Sequence, residues 1–382
     1  MIPGSRAGAP RRRATLSKAW LRVAALFAWA FFSPAGLSGT AFAAGLSAFA
    51  PGAAWPADDG SPVDSHGGNI LRDAQSGTYY WYGEHYGTPR GIACYSSGDL
   101  YNWKFEGVVF PRGSIGVLER PKVIYNAATR KYAMWFHYDS TGYKLAQMGV
   151  ALSDSAKGPF VLQGHFRPNG HQSRDLGMFA DDDGKAYLLY AADSVNVTIR
   201  MVELSADYAG VTANDVDLKA HCEGPALMKR DGIYYLITSQ CTGWDPNRAT
   251  YYTAANAQGP YTGRGDPCVG DTAHTTFDSQ SCYIFKIPGY ADGYMFMGDR
   301  WNGSGSANSR YVFLPISVPA ANTLQIRWYA SWDLKTFGPS AAHAPLPPRA
   351  GNAGLPVLML RGGDAMLEYG GHGWRPDGAL VR

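Results

Sequence analysis

Acidic residues recur at one place in a repeated phrase of this sequence. Glu119 precedes Arg120-Pro121-Lys122-Val123, Asp175 precedes Leu176-Gly177-Met178-Phe179, and Glu223 precedes Gly224-Pro225-Ala226-Leu227. The matching stretch nearest the N-terminus reads Asp64-Ser65-His66-Gly67-Gly68, and the last one reads Phe277-Asp278-Ser279-Gln280. Carboxyl groups that converge from separate elements suit hydrolysis by acid–base catalysis. One group, protonated, hands its proton to the leaving oxygen, while an opposing group activates water. For inverting cleavage of a glycosidic bond the two lie roughly 6.5–9.5 Å apart, leaving room for that water. A neighbouring carboxylate keeps the acid protonated near neutrality, because its negative charge disfavours a second one.

The elements that must hold these residues are short strands in a repeat of about fifty residues. Its most regular line is a turn followed by an aromatic run: Gly77-Thr-Tyr-Tyr-Trp-Tyr-Gly, Arg130-Lys-Tyr-Ala-Met-Trp-Phe, Gly184-Lys-Ala-Tyr-Leu-Leu-Tyr, Gly232-Ile-Tyr-Tyr-Leu-Ile-Thr and Gly293-Tyr-Met-Phe-Met-Gly. A second strand lies just upstream of each, as in Lys122-Val-Ile-Tyr and Ser281-Cys-Tyr-Ile-Phe, and a third downstream, as in Ile92-Ala-Cys-Tyr-Ser-Ser. Some repeats add an outer strand, such as Trp103-Lys-Phe-Glu-Gly. Turn residues followed by aromatic and β-branched runs are the signature of antiparallel strands. One such unit cannot bury both of its faces, so five at a fixed period predict an all-β, five-bladed β-propeller. The innermost strand of each blade then lines a central funnel, and polar residues at its start meet there.

The composition agrees with this. The 382 residues are 46% hydrophobic and 17% charged, enough for a packed core, with 24 Tyr, 11 Trp and 46 Gly. Residues 1–43 read as a signal peptide: a basic start at Arg6, Arg11, Arg12, Arg13 and Lys18, an apolar run from Val23 to Phe32, and Ala41-Phe42-Ala43 as a cleavage site. This predicts a secreted or periplasmic protein with no membrane attachment after cleavage. The segment holds six of the 34 basic residues and no acids, so the remaining 28 face 31 acids, a net of −3. That balance argues against a nucleic-acid partner. The propeller is expected over 44–338, followed by a Pro/Ala/Gly-rich linker and short tail over 339–382. Five cysteines remain, and two pairs are placed to close: Cys222 with Cys241 across a hairpin, or Cys268 with Cys282 across a loop.

The runs Ser173-Arg-Asp-Leu-Gly-Met-Phe-Ala-Asp-Asp-Asp-Gly-Lys-Ala-Tyr-Leu-Leu-Tyr190 and Glu223-Gly-Pro-Ala-Leu-Met-Lys-Arg-Asp-Gly-Ile-Tyr-Tyr-Leu236 resemble the central motifs of glycoside hydrolase family 43. The resemblance spans roughly residues 60–337. It implies a five-bladed propeller that inverts configuration, with Glu223 as general acid and Asp175 as the residue that tunes and orients it. Most members carry an Asp base at the start of the first blade, where this sequence has glycine. The segments His66-Gly67-Gly68, Tyr80-Trp81-Tyr82-Gly83-Glu84, Cys241-Thr-Gly-Trp-Asp-Pro-Asn247 and Thr276-Phe-Asp-Ser-Gln-Ser281 are similar to the exo-β-1,3-galactanase branch. That similarity implies Gln280 at the place where water is activated, through an imidic tautomer because an ordinary amide is a poor base.

The remaining candidates are recognition residues. Glu84 and Glu119 are expected to accept hydrogen bonds from sugar hydroxyls, with Tyr143 and Asn196 facing the same funnel from loops. Trp244 is expected to stack on a sugar ring. His66, beside two glycines, is a candidate contact as well, with a hydrogen-bonded structural role as the alternative. No group of His and acids has ligand spacing, so neither a metal nor another cofactor is expected. The expected partner is β-1,3-galactan or arabinogalactan, acted on by a monomer. The rival readings are an arabinofuranosidase or β-xylosidase of the same family, and a carbohydrate-binding propeller without turnover.

Overall fold

Each aromatic run becomes the second strand of a four-stranded antiparallel sheet, flanked by the strands read on either side of it. The structure is a computed structural model that describes residues 45–193 and 196–338 together with two short paired strands, Gly373–Trp374 and Leu380–Val381. The predicted signal peptide, and apart from those two strands the linker and tail, lie outside the described residues.

Blade I consists of β1 (His66–Arg72), β2 (Tyr79–His85), β3 (Gly91–Ser97) and β4 (Lys104–Pro111). Blade II follows with β5 (Val117–Asn126), β6 (Lys131–Asp139), β7 (Gln147–Ser153) and β8 (Val161–Phe166). Blade III is β9 (Ser173–Ala180), β10 (Ala186–Ala192), β11 (Thr198–Leu204) and β12 (Val211–Asp217). Blade IV is β13 (Glu223–Arg230), β14 (Ile233–Ser239), β15 (Thr250–Ala254) and β16 (Thr262–Gly265). Blade V adds a short parallel edge, β17 (Cys268–Val269), to β18 (Gln280–Lys286), β19 (Tyr294–Arg300), β20 (Arg310–Ala320) and β21 (Thr323–Arg327). Every blade therefore has the outer strand that the sequence displayed only in some repeats. The outer strands β8 and β16 are largely exposed, so no apolar alternation marked them.

The core is a ring of layers. One buried cluster lies between each pair of successive sheets: Tyr82 with Phe136 between I and II, Trp135 with Tyr190 between II and III, Leu189 with Leu236 between III and IV, and Tyr235 with Phe296 between IV and V. The fifth, with Trp81, Trp103, Met295 and Phe313, closes the ring between V and I. Residues just ahead of blade I reinforce this closure, since Phe49 pairs with Trp332 and stacks on it at 4.2 Å. Non-directional burial of this aromatic surface is the main force holding the blades edge to edge.

Of the two cysteine pairs, Cys222 and Cys241 are bonded. Cys268 and Cys282 are free and buried, because Cys268 packs between blades IV and V and Cys282 between V and I.

Candidate active site

All five inner strands carry a β-bulge at their axial end. Counting against the neighbouring strand, one extra residue falls between His66 and Asn69, Glu119 and Lys122, Ser173 and Leu176, Glu223 and Ala226, and Ser281 and Tyr283. A bulge bends the strand and re-aims its side chains, which is why bulges occur beside active sites. Arg120 (φ 54°) and Gly224 (φ 56°) take the left-handed conformation inside two of them. The register corrects one detail of the sequence reading. Glu119 and Glu223 are true equivalents, facing His137 and Ser239 across the sheet, but Asp175 lies two residues further along, inside its bulge.

In blade I the equivalent position is His66, which faces Glu84. A Cβ added to Gly67 would stand 2.6 Å from Glu84 Oε1. The glycine thus makes room for a carboxylate delivered by the second strand instead of the first.

These ends surround a pocket of about 230 Å³ lined by Glu84, Glu119, Arg120, His137, Tyr143, Arg174, Asp175, Asn196, Glu223, Trp244 and Gln280, with Gly243 beside Trp244. Eight of the nine sequence candidates are among them. His66 is not: fully buried, it stacks on Tyr311 at 4.8 Å and lies 3.5 Å from Asp64 and 3.6 Å from Asp299. Of the two glycines that follow it, Gly67 makes room for Glu84 and Gly68 for the Tyr82 backbone, and the buried ring packs as a structural group outside the pocket lining.

Arg120 is the hub of the site. Its guanidinium, almost fully buried, donates to the Gln280 side-chain oxygen and to the Ser281 carbonyl, and pairs with Asp175 Oδ2 at 3.0 Å. It also lies 5.2 Å from the Trp301 ring centre, while its backbone N–H donates to Glu84 Oε1 at 3.0 Å. Gln280 is held at both ends. Its oxygen also accepts from Trp301 Nε1 at 3.0 Å, and its nitrogen donates to Ser239 Oγ at 2.9 Å and Glu223 Oε2 at 3.4 Å. Lys122, fully buried beneath, donates to the Gly67 carbonyl at 2.7 Å, and burial lowers its pKa to about 8.

The carboxyls differ in charge because their surroundings differ. Burial, and then the charge of Asp175, raise Glu223 to about 7, against the hydrogen bond from Asn196 Nδ2. Glu84 is pushed up to about 8 by burial and by the charge of Glu119, although Tyr86 O–H donates to it at 2.8 Å. Glu119 goes the other way. Burial opposes its charge, but His137 at 3.3 Å and the Tyr143 hydroxyl at 2.6 Å hold it below the ordinary carboxylate range. One pocket therefore holds protonated and ionised carboxyls together near neutral pH, the condition for acid–base hydrolysis.

A family model described as glycosyl hydrolases family 43 matches residues 62–282, more than half of the chain. The chain is a member of glycosyl hydrolases family 43. Among solved structures of the family, a beta-1,3-galactosidase is similar at a TM-score of 0.72 and 37% identity, over 76% of this chain and 64% of that one. This chain thus spans less than two thirds of that protein's length. The exo-beta-1,3-galactanase from Phanerochaete chrysosporium, solved with beta-1,3-galactotriose, is similar at a TM-score of 0.69 and 32% identity, over 78% of this chain and 71% of that one. A curated beta-D-galactofuranosidase of Aspergillus niger is 29% identical over 250 residues, 56% of this chain and 70% of its own length.

Sequence reasoning missed Arg120, His137, Ser239 and Trp301 in this family 43 pocket. A signal for two of them was present. The second strands end with a polar residue after the aromatic run, at Glu84, His137, Ser239 and Asp299, opposite the start of the inner strand. Only the first of these was read as a site residue.

Proposed function

We propose that this glycoside hydrolase is an inverting exo-β-1,3-galactanase that releases galactose from the non-reducing end of β-1,3-galactan, as in arabinogalactan side chains. The observation that carries the reading is the makeup of the pocket. A carboxyl raised to about 7, Glu223, stands beside an amide, Gln280, while the first inner strand presents glycine where an acid is common. In this reading Glu223 protonates the leaving oxygen and Asp175 keeps it protonated. Gln280 positions the water and, as its imidic tautomer, takes the water's proton on its nitrogen while releasing the proton on its oxygen, so that the ordinary amide remains; Arg120 and Trp301, donating to that oxygen, fix the side chain. Glu84, Glu119, Tyr143 and Asn196 contact hydroxyls, and Trp244 supports a ring of the chain being cut.

The similarity to solved galactan-acting relatives at 32–37% identity supports this choice of sugar. Export, proposed from residues 1–43, fits a polymer too large to be taken up whole, and the Cys222–Cys241 bond suits an oxidising compartment. A second reading, as a β-xylosidase or a furanosidase, is favoured by the curated galactofuranosidase and by a xylan 1,3-beta-xylosidase of Vibrio, 29% identical over 198 residues, 45% of this chain and 36% of its own length.

Product analysis on β-1,3-galactan, xylan and arabinan separates these readings. The galactanase releases galactose alone, first as the α-anomer. Xylose or arabinose as the main product replaces the substrate assignment, and sugar binding without turnover makes the propeller a lectin-like binder.

A further inference from the structure

Behind Glu119 lies a buried line of charge that the proposed chemistry leaves unused. His137, at 1% exposure, presents Nδ1 to Glu119 Oε2 at 3.3 Å and Nε2 to Asp139 Oδ2 at 3.0 Å. Asp139, equally buried, accepts backbone N–H bonds from Ser140 at 2.8 Å, Leu145 at 2.7 Å and Ala146 at 3.0 Å. It thereby gathers the loop that follows β6, and that loop carries Tyr143 (φ 59°), whose hydroxyl donates to the other oxygen of Glu119. One aspartate thus fixes both groups that hold Glu119, and of these two acids only Glu119 lines the pocket.

We propose that Asp139 and His137 are positioning residues that fix Glu119 as the charged member of the Glu84–Glu119 pair, so that a sugar meets one carboxylate acceptor and one carboxylic acid donor. The inference rests on the assignment of Glu84 and Glu119 to hydroxyl recognition.

The electrostatics follow from what faces the ring. Glu119 comes from β5, Asp139 from β6 and the Tyr143 ring from the next loop at 5.8 Å, while Met148, across the sheet on β7, carries no charge. Burial by itself disfavours an imidazolium, but the two carboxylates win and raise His137 to about 9. The cation in turn holds Asp139 at about 2 against burial. Two carboxyls competing for one proton behave as a coupled pair, and a cation behind one decides which stays ionised. Without it, Glu119 and Glu84 share the proton more evenly, and acidification removes the acceptor that hydroxyls need.

The test uses the full chain carrying Glu223→Gln, so that sugar binds without being cut, with galactose affinity measured by calorimetry from pH 5 to 8. In that background affinity should hardly change between pH 5 and 7. Adding His137→Gln should weaken binding on the order of tenfold, the scale of a lost charge-assisted hydrogen bond, with the loss growing as pH falls. Asp139→Asn should fall between the two. In otherwise wild-type protein, His137→Gln should raise KM far more than it lowers kcat.

Nitrogen NMR of histidine-labelled protein, with the His137 signals identified by their loss in His137→Gln, reads the charge without relying on a variant's fold. The imidazolium should persist past pH 7.5. A neutral His137 ring at pH 7, or a loss of affinity that is the same at every pH, overturns the proposal. If the Glu223→Gln protein binds xylose and not galactose, the galactan reading fails, and the same expected and overturning results are then read with xylose.

Discussion

Replacing Asp175 with Asn removes one negative charge while keeping the side-chain shape. Glu223 stands at about 7 against an ordinary value of 4.5, with burial as the largest cause and Asp175 as the next. Burial survives the substitution, so only part of the rise is lost. Arg120, freed of its 3.0 Å partner, then acts more fully on Glu223, in the same direction. A fall of roughly one unit, or about 1.4 kcal/mol, is expected, a part of the whole rise from 4.5 to about 7.

With the acid at about 7, roughly a quarter of the enzyme is protonated at pH 7.5; at about 6, roughly 3% is. At pH 5 both forms are more than about 90% protonated. The ratio of wild-type to Asp175→Asn activity should therefore grow roughly sevenfold from pH 5 to pH 7.5, whatever constant loss the lost ion pair adds. The assay is kcat/KM for β-1,3-galactobiose, measured below KM across pH 4.5–8.5, with folding checked by circular dichroism. A ratio that stays constant with pH refutes the electrostatic role of Asp175.

Glu223→Gln should lower kcat at least roughly a hundredfold while galactose affinity stays within a few-fold, because general acid catalysis of this kind contributes about 10²–10⁴; activity within tenfold of wild type would move the acid elsewhere. Gln280→Ala should lose nearly all activity and regain part of it with azide, a small nucleophile that needs no base; rescue only in Glu84→Ala or Glu119→Ala would restore a mechanism with two carboxyls. Removing the Cys222–Cys241 bond, which joins positions 19 residues apart, by a double Ala substitution should cost about 3 kcal/mol in urea unfolding. Trp81→Ala, in the layer that closes blade V on blade I, should cost about 3–5 kcal/mol, seen as a lowered urea midpoint.

The five aromatic second strands were legible in the sequence because turn residues and apolar runs act locally, and every blade repeats them. Together with the inner-strand positions of Glu119, Glu223 and Gln280, that pattern determined the propeller and the place of its funnel. Three features depended on contacts between blades and strands. The bulges put Asp175 out of register with its apparent equivalents, since hydrogen-bond partners rather than sequence alignment set which residues face each other. Gly67 read as a missing acid, yet its lack of a side chain is what admits Glu84 from the neighbouring strand. Arg120 looked like a spacer between Glu119 and Pro121, and only the meeting of blades II, III and V around the axis makes it the partner of Asp175 and Gln280. Residue types and their period carry the chemistry available to a chain. Which groups are charged is decided where side chains distant in sequence share one buried space, since burial and neighbouring charge set protonation together.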